Sequence, residues 1–264
     1  QALLYRILEC TKPTARLIFV GDHAQLPSVG PGHVLREMLT SGCFPTTYLT
    51  EIYRQANTSY IVEASHAVHK GEMPLTNVRD FQLIEVEDDT TAQQVCLGLA
   101  TKLSTDDEDF QVISPRHGGP VGVTILNQQL RELLNPEMPG RKEHKLGQYT
   151  IREGDKVMVV RNDYDLGSDG IFNGDVGSVY KIRTDAKEVV LELPGPPTTH
   201  VDMPFSKVRE FLRLCYVSTI HKNQGREVDV VVLLLSKSFG RQLQRNLLYT
   251  AITRAKKRVY IIGQ

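Results

Sequence analysis

Tyr216-Val-Ser-Thr-Ile-His221-Lys222-Asn-Gln224-Gly225-Arg226-Glu227, followed at once by the apolar run Val228 to Leu235, is the stretch that decides how this chain reads. It sets a polar turn between two strands, Cys215 to Thr219 and Val228 to Leu235. Thr219, His221 and Lys222 put hydroxyl, imidazole and ammonium donors on that turn, a set that suits phosphate oxygens. Gly225 permits tight turning, and Glu227 can accept a hydrogen bond from a sugar hydroxyl. Downstream, Leu243 to Thr253 reads as a helix carrying Leu247-Leu-Tyr249-Thr250-Ala-Ile-Thr253-Arg254, and Val259 to Ile262 as a closing strand.

The upstream half follows the same alternation. Leu3, Leu4, Ile7 and Leu8 share one face of a helix over Gln1 to Cys10. Arg16 to Val20 reads as a buried parallel strand whose carboxyl end delivers Asp22 and Gln25, within Gly21-Asp22-His-Ala-Gln25, to a crevice. The Gln25 amide both donates and accepts, so it can meet a terminal phosphate or its attacking water. In Ile52-Tyr53-Arg54-Gln55, Tyr53 offers an aromatic plane beside the Arg54 guanidinium; such a pair can stack a purine ring and place fixed positive charge on a phosphate. Taken alone, such a triplet far more often marks a helix end at the surface. Ser59 to His69, Thr91 to Leu103 and Val121 to Leu134 read as further helices, the last stopped by Asn135-Pro136, and Val112 to Ser114 as a strand.

Between about Lys145 and Lys207 the rhythm changes to short strands, 156 to 160, 176 to 182, 189 to 193 and 199 to 203, separated by Asn, Asp, Gly and Pro clusters. That spacing predicts a small β-barrel inserted in an α/β domain. Its Arg152, Lys156, Arg161, Lys181, Arg183, Lys187 and Lys207, with Tyr164 and Phe172, suggest a charged surface with aromatic platforms for single-stranded nucleic acid. A barrel that binds a protein, or only braces its neighbour, is the alternative.

Composition sets outer bounds. The 264 residues carry 31 basic and 31 acidic side chains, so net charge is zero. The distribution is uneven: Phe205 to Gln264 holds twelve Lys and Arg against three acids, whereas Asp80 to Asp109 holds nine acids and one lysine. A basic carboxyl-terminal segment suits a local nucleic-acid or nucleotide surface, and a solvated basic face is the plainer reading. Cys10, Cys43, Cys96 and Cys215 form no C-x-x-C pair, and the eight histidines form no ligand pair, so neither a disulfide framework nor a metal site held by protein ligands is expected. Scattered cysteines point to a reducing cytoplasm. No apolar run is long enough to span a bilayer.

These four motifs, in this order, resemble those of superfamily 1 DNA helicases. Leu26-Pro27-Ser28-Val29-Gly30-Pro31-Gly32, Ser114-Pro115-Arg116-His-Gly-Gly119, Gly154-Asp155-Lys156-Val157-Met158, Asn162-Asp163-Tyr164 and Phe172-Asn173-Gly174-Asp175 resemble the RecD-like branch, the exodeoxyribonuclease V alpha-subunit type. The resemblance covers nearly the whole chain. It implies an α/β fold, with residues 1–50 as the tail of a first RecA-like domain, 51–144 and 208–264 as a second, and 145–207 as a Src-homology-like barrel inserted in the latter. It implies ATP with Mg²⁺ as cofactor, and 5′ to 3′ translocation on single-stranded DNA and at duplex junctions, alone or with the subunits of a nuclease complex.

Catalytic roles carry over to Gln25, Arg54 and Arg254. Asp22, Tyr53, Gly225 and Glu227 join them around the nucleotide. DNA contacts carry over to Pro115, Arg116, Thr219, His221, Lys222, Tyr164 and Phe172. Arg226 departs from the family, which has Ser or Leu there. No G-x-x-x-x-G-K-[ST] phosphate loop occurs, and the only Asp-Glu dipeptide, Asp107-Glu108, sits in an acidic loop. The resemblance places both magnesium and phosphate-loop residues upstream of Gly21. The chain alone is therefore expected not to hydrolyse ATP. A relaxase-linked or Pif-type helicase is an alternative, as is a non-catalytic module that binds DNA or a partner.

Overall fold

A computed structural model describes residues 2–27, 30, 32–49, 59–146, 149–223 and 225–264. Ile52, Tyr53, Arg54, Gln55 and Gln224 lie outside the described residues. Helices α1 (Ala2–Cys10) and α2 (Val34–Ser41) precede the main body. That body opens with α3 (Tyr60–Lys70), β1 (Phe81–Glu85), α4 (Asp89–Thr105), β2 (Phe110–Ile113) and α5 (Val123–Leu134). There follow β3 (Glu143–Leu146), β4 (Tyr149–Arg152), β5 (Lys156–Val159), β6 (Val176–Arg183), β7 (Glu188–Leu193), β8 (Thr199–Pro204), α6 (Phe205–Phe211) and β9 (Leu212–Leu214). The chain closes with β10 (Val217–Ser218), β11 (Val228–Leu235), α7 (Arg245–Ile252) and β12 (Ala255–Gly263).

One five-stranded sheet runs β1-β12-β11-β2-β10, and every pairing in it is parallel. Its apolar run β11 is central and covered on both faces. Val231 and Leu233 pack with Ile61, Ala64 and Val68 of α3 and Leu247 and Ala251 of α7. Val230, Val232 and Leu234 pack with Cys96 and Ala100 of α4 and Leu126 and Leu130 of α5. A strand buried on both sides has no polar face to alternate with, which is why it reads as a continuous hydrophobic run. Local signals set the helix ends. The Ser59 hydroxyl accepts from Ile61 N at 3.2 Å at the start of α3, and Gly71, at φ 84°, closes it. The Asp88 carboxylate accepts from Thr91 N at 2.7 Å at the start of α4, and that bond holds it below the usual carboxylate range.

The second sheet, β8-β7-β6-β5-β9, is antiparallel and wraps its own core around Ile151, Val179, Leu191, Met203 and Leu212. It closes on Leu212–Leu214, seven residues past the 207 bound read from sequence, because β9 pairs with β5 before the chain re-enters the parallel sheet. In the first sheet the expected strand from Cys215 to Thr219 is reduced to two residues at the sheet edge. Gly177 is obligatory: a Cβ there would sit 2.1 Å from the Glu192 carbonyl oxygen across the β6–β7 pair.

A buried polar knot ties the two units together. The carboxylate of Asp155 accepts from Arg131 Nε (3.2 Å), Asn135 Nδ2 (2.8 Å), Arg152 N (2.7 Å) and Tyr216 OH (3.1 Å). Those donors come from α5 and its cap, the last residue of β4 and the entry to β10, the segments through which the chain leaves and rejoins the parallel sheet. Burial holds the Asp155 carboxyl above its ordinary range, against the pull of those donors.

One sequence expectation fails here. Arg16 to Val20 forms no strand, and Ile18 and Val20 are 79% and 89% exposed. A buried parallel strand needs paired edges and covered faces, and none of the three sheets among the described residues supplies them. Leu3, Ile7 and Leu8 of α1 are likewise exposed. Among the described residues no helix is long and apolar enough to cross a membrane, and no group of three or more His, Cys, Asp or Glu is placed to hold a metal.

Candidate nucleotide edge and nucleic-acid groove

Because every strand of the parallel sheet points the same way, its amino ends form one edge and its carboxyl ends the other. Glu227 precedes β11 and Arg254 precedes β12, so both lie on the amino edge, and Val228 N donates to the Arg254 carbonyl at 3.1 Å. Arg254 sits in the turn just after α7 rather than on the helix read from sequence, since α7 ends at Ile252. It is 4% exposed. Its Nε donates to the Thr250 carbonyl at 3.1 Å and its Nη2 to Thr253 Oγ1 at 3.4 Å. These bonds fix the direction of the guanidinium. Glu227 faces Lys256 at 3.9 Å.

Asp22 and Gln25 reach this region by docking on α7, not by being carried on a strand. Leu26 N donates to Thr250 Oγ1 at 2.9 Å, and Tyr249 OH donates to Asp22 Oδ2 at 3.2 Å. The Gln25 amide donates to Asp22 Oδ2 at 3.1 Å, and Asp22 Oδ1 accepts from Ala24 N at 2.9 Å, closing a tight turn. Thr250 thus touches both the 22–27 segment and Arg254, so one helix face joins two distant motifs.

The 219–227 loop crosses from the carboxyl end of β10 to the amino end of β11. Gly225 takes φ 88° in it, a left-handed conformation that favours glycine. Between this loop and the barrel lies a groove of about 550 Å³. Lys222, Gly225 and Arg226 form one wall, and the barrel's Gly167–Gly170 and Asn173–Val176 face them. Tyr164 and Phe172 are not among the groove-lining residues; they adjoin that barrel loop in sequence as an edge-to-face pair with centroids 5.7 Å apart, and both are exposed, at 74% and 40%. The wall is of mixed charge, because Asp169 and Asp175 line it too. Pro115, Arg116, Thr219 and His221 are not among the groove-lining residues. They lie at the carboxyl edge, where Ser114 N donates to the Ser218 carbonyl at 3.1 Å and Arg116 Nη1 to the Ser238 carbonyl at 3.3 Å.

The barrel's basic inventory is largely engaged within the fold. Arg152 is buried against Glu143 and Glu132. Lys156 donates to the Phe110 carbonyl at 2.9 Å, and burial, reinforced by the nearby Arg226 guanidinium, holds its ammonium below the usual lysine range. Arg161 pairs with Glu210, Lys207 with Asp163, and Arg183 with Asp202. Of the seven cations expected to meet a strand, Arg152 and Lys156 are structural, which sequence could not reveal because their partners sit 9 to 46 positions away. Arg226, absent from the sequence-derived site, lines the groove and has a buried Nη1 without an acceptor.

A helix-covered parallel sheet with a small antiparallel barrel inserted before its last strands is the architecture of a RecA-like domain with an inserted barrel. A crystal structure of Bacteroides Pif1 bound to single-stranded DNA shares it, with a TM-score of 0.54 at 17% identity, covering 90% of this chain and 59% of that one. A second Bacteroides Pif1 structure, with ADP-AlF3 and single-stranded DNA, gives 0.54 at 18%, covering 92% and 61%. Family profiles described as the ATP-dependent RecD-like DNA helicase SH3 domain, the UvrD-like helicase C-terminal domain and an AAA domain match residues 126–192, 214–262 and 1–89.

Deinococcus radiodurans ATP-dependent RecD2 DNA helicase is 34% identical over 268 residues, spanning 100% of this chain and 34% of that protein. The RecBCD enzyme subunit RecD of Mycobacterium tuberculosis is 28% identical over 285 residues, spanning 99% and 47%. Over its whole length the chain is similar to RecD-like DNA helicases, and it spans a third to about half the length of these relatives.

Proposed function

We propose that this chain supplies the nucleotide-sensing edge and part of the DNA grip of an ATP-dependent 5′ to 3′ DNA helicase acting in recombination and repair. The observation that carries the reading is the docking of the 22–27 segment on α7, which gathers Asp22, Gln25, Glu227 and Arg254 around one sheet edge. Gln25 reports the terminal phosphate, Glu227 accepts from the ribose, and Arg254 stabilises the charge that develops on transfer. Tyr53 and Arg54 complete the nucleotide side as adenine platform and second cation. ATP with Mg²⁺ supplies the phosphoryl group, and among the described residues only this sensing side of its site is built. The groove beside Lys222 and Arg226 takes single-stranded DNA, with Tyr164 and Phe172 as stacking platforms. Duplex junctions and nuclease-complex subunits are the wider partners. The RecD-like barrel profile favours this branch over a Pif-type helicase.

The 264-residue chain provides the direct test. Its sequence holds no G-x-x-x-x-G-K-[ST] phosphate loop to cradle the β- and γ-phosphates in line, so DNA-stimulated ATP turnover stays below about 1 per second, a low-end rate on the usual enzyme scale. Turnover above that overturns the division of labour assigned here.

A further inference from the structure

A second cavity, of about 260 Å³, opens away from the groove where the 22–41 segment meets the parallel-sheet domain. His23 and Arg36 line it from the first side; His69 of α3 and Arg245, Asn246 and Tyr249 of α7 line it from the second. Two guanidinium groups therefore face two imidazoles across one solvent-open space, and neither arginine has an acidic partner among the described residues. The nearby carboxylate, Asp22, is already engaged by Ala24, Gln25 and Tyr249.

Arg245 is held in place rather than splayed. A Cβ on Gly71 would fall 2.7 Å from Arg245 Nη1, so the guanidinium lies directly over the left-handed cap of α3, at the negative end of that helix. The His23 and His69 rings meet edge to face at 5.6 Å, and His69 continues to Tyr249 at 5.8 Å. Gathered positive charge without a counter-charge is unfavourable unless an anion answers it, and guanidinium forks match tetrahedral oxyanions in bidentate fashion. The volume is several times the ~30 Å³ share of one water.

We propose that this cavity is a phosphate-group site, bridging Arg36 on one side and Arg245 on the other. The inference does not depend on the groove reading, and its occupant is either a free phosphate species or a backbone phosphate of a nucleic acid.

The test is titration of the chain with inorganic pyrophosphate, read on the ring C–H signals of His23 and His69 and assigned with His23→Gln and His69→Gln. Both signals move saturably in the wild type. Combined Arg36→Gln and Arg245→Gln weakens binding at least tenfold, while Lys222→Ala with Arg226→Ala leaves it unchanged. Both arginines are exposed, so the variant keeps its far-UV spectrum. A thymidine oligonucleotide that displaces pyrophosphate identifies the occupant as a strand phosphate, and failure to displace it identifies a free one; either result upholds the site. Unmoved histidine signals, or equal affinity in the arginine variant, overturn it.

Discussion

Replacing Arg254 by alanine, in a protein of the relatives' full length that carries this chain, lowers ATP hydrolysis by about 10³-fold or more, the usual effect of removing an arginine that meets the transferring phosphoryl group. The side chain is buried at the amino edge and its direction is set by Thr250 and Thr253, so the loss is one of aimed charge. Arg254→Lys separates charge from shape: lysine keeps the positive charge and loses the planar fork, and it too falls by at least an order of magnitude. Single-strand affinity stays near wild type because the groove lies elsewhere. Thermal unfolding of both variants guards against a packing defect. Retention of ATPase within about threefold, well inside the expected loss, shows that Arg254 is structural.

Asp155→Ala destabilises the chain by about 3–5 kcal/mol, the range for removing one partner from a buried ion pair and leaving the other uncompensated. Arg131 is left with only a distant contact to Glu143, and Asn135, Tyr216 and the Arg152 amide lose their shared acceptor. Urea unfolding measures it, and the barrel and the parallel sheet melt in separate steps once the knot between them is gone. A loss under about 1 kcal/mol, the scale of an exposed pair, shows that the junction is held by apolar packing instead.

How much of this was legible in the residues depended on range. β11 was readable because a strand covered on both faces carries its burial in its own composition, and α5 because Asn135-Pro136 stops it locally. The run 16–20 has the same kind of composition, yet composition does not supply neighbours, and its apolar side chains stand exposed. The roles of Lys156 and Arg152 were misread for the same reason. A basic residue in a barrel looks like a nucleic-acid contact until a partner folds over it. The cavity lined by His23, Arg36, His69 and Arg245 had no sequence signal, because four isolated residues spread over more than two hundred positions form no motif. Asp22, Gln25, Glu227 and Arg254 were legible as motif residues, but only the fold explains their meeting, through Thr250 for the 22–27 segment and Arg254 and through the Val228–Arg254 backbone bond for Glu227.

The central claim, that the groove between the barrel and the 219–227 loop holds a single strand, is tested most directly by oligonucleotide affinity across a salt series. Lys222 and Arg226 are the groove's two cations, so their combined replacement by alanine flattens the log–log slope by about 1.4, two phosphates at roughly 0.7 each on single strands. Tyr164→Ala with Phe172→Ala lowers affinity about tenfold or more at every salt concentration with the slope unchanged, because stacking, worth ~1–3 kcal/mol per base, releases no counterions. If all four substitutions leave affinity and slope as in the wild type, the strand does not run through this groove.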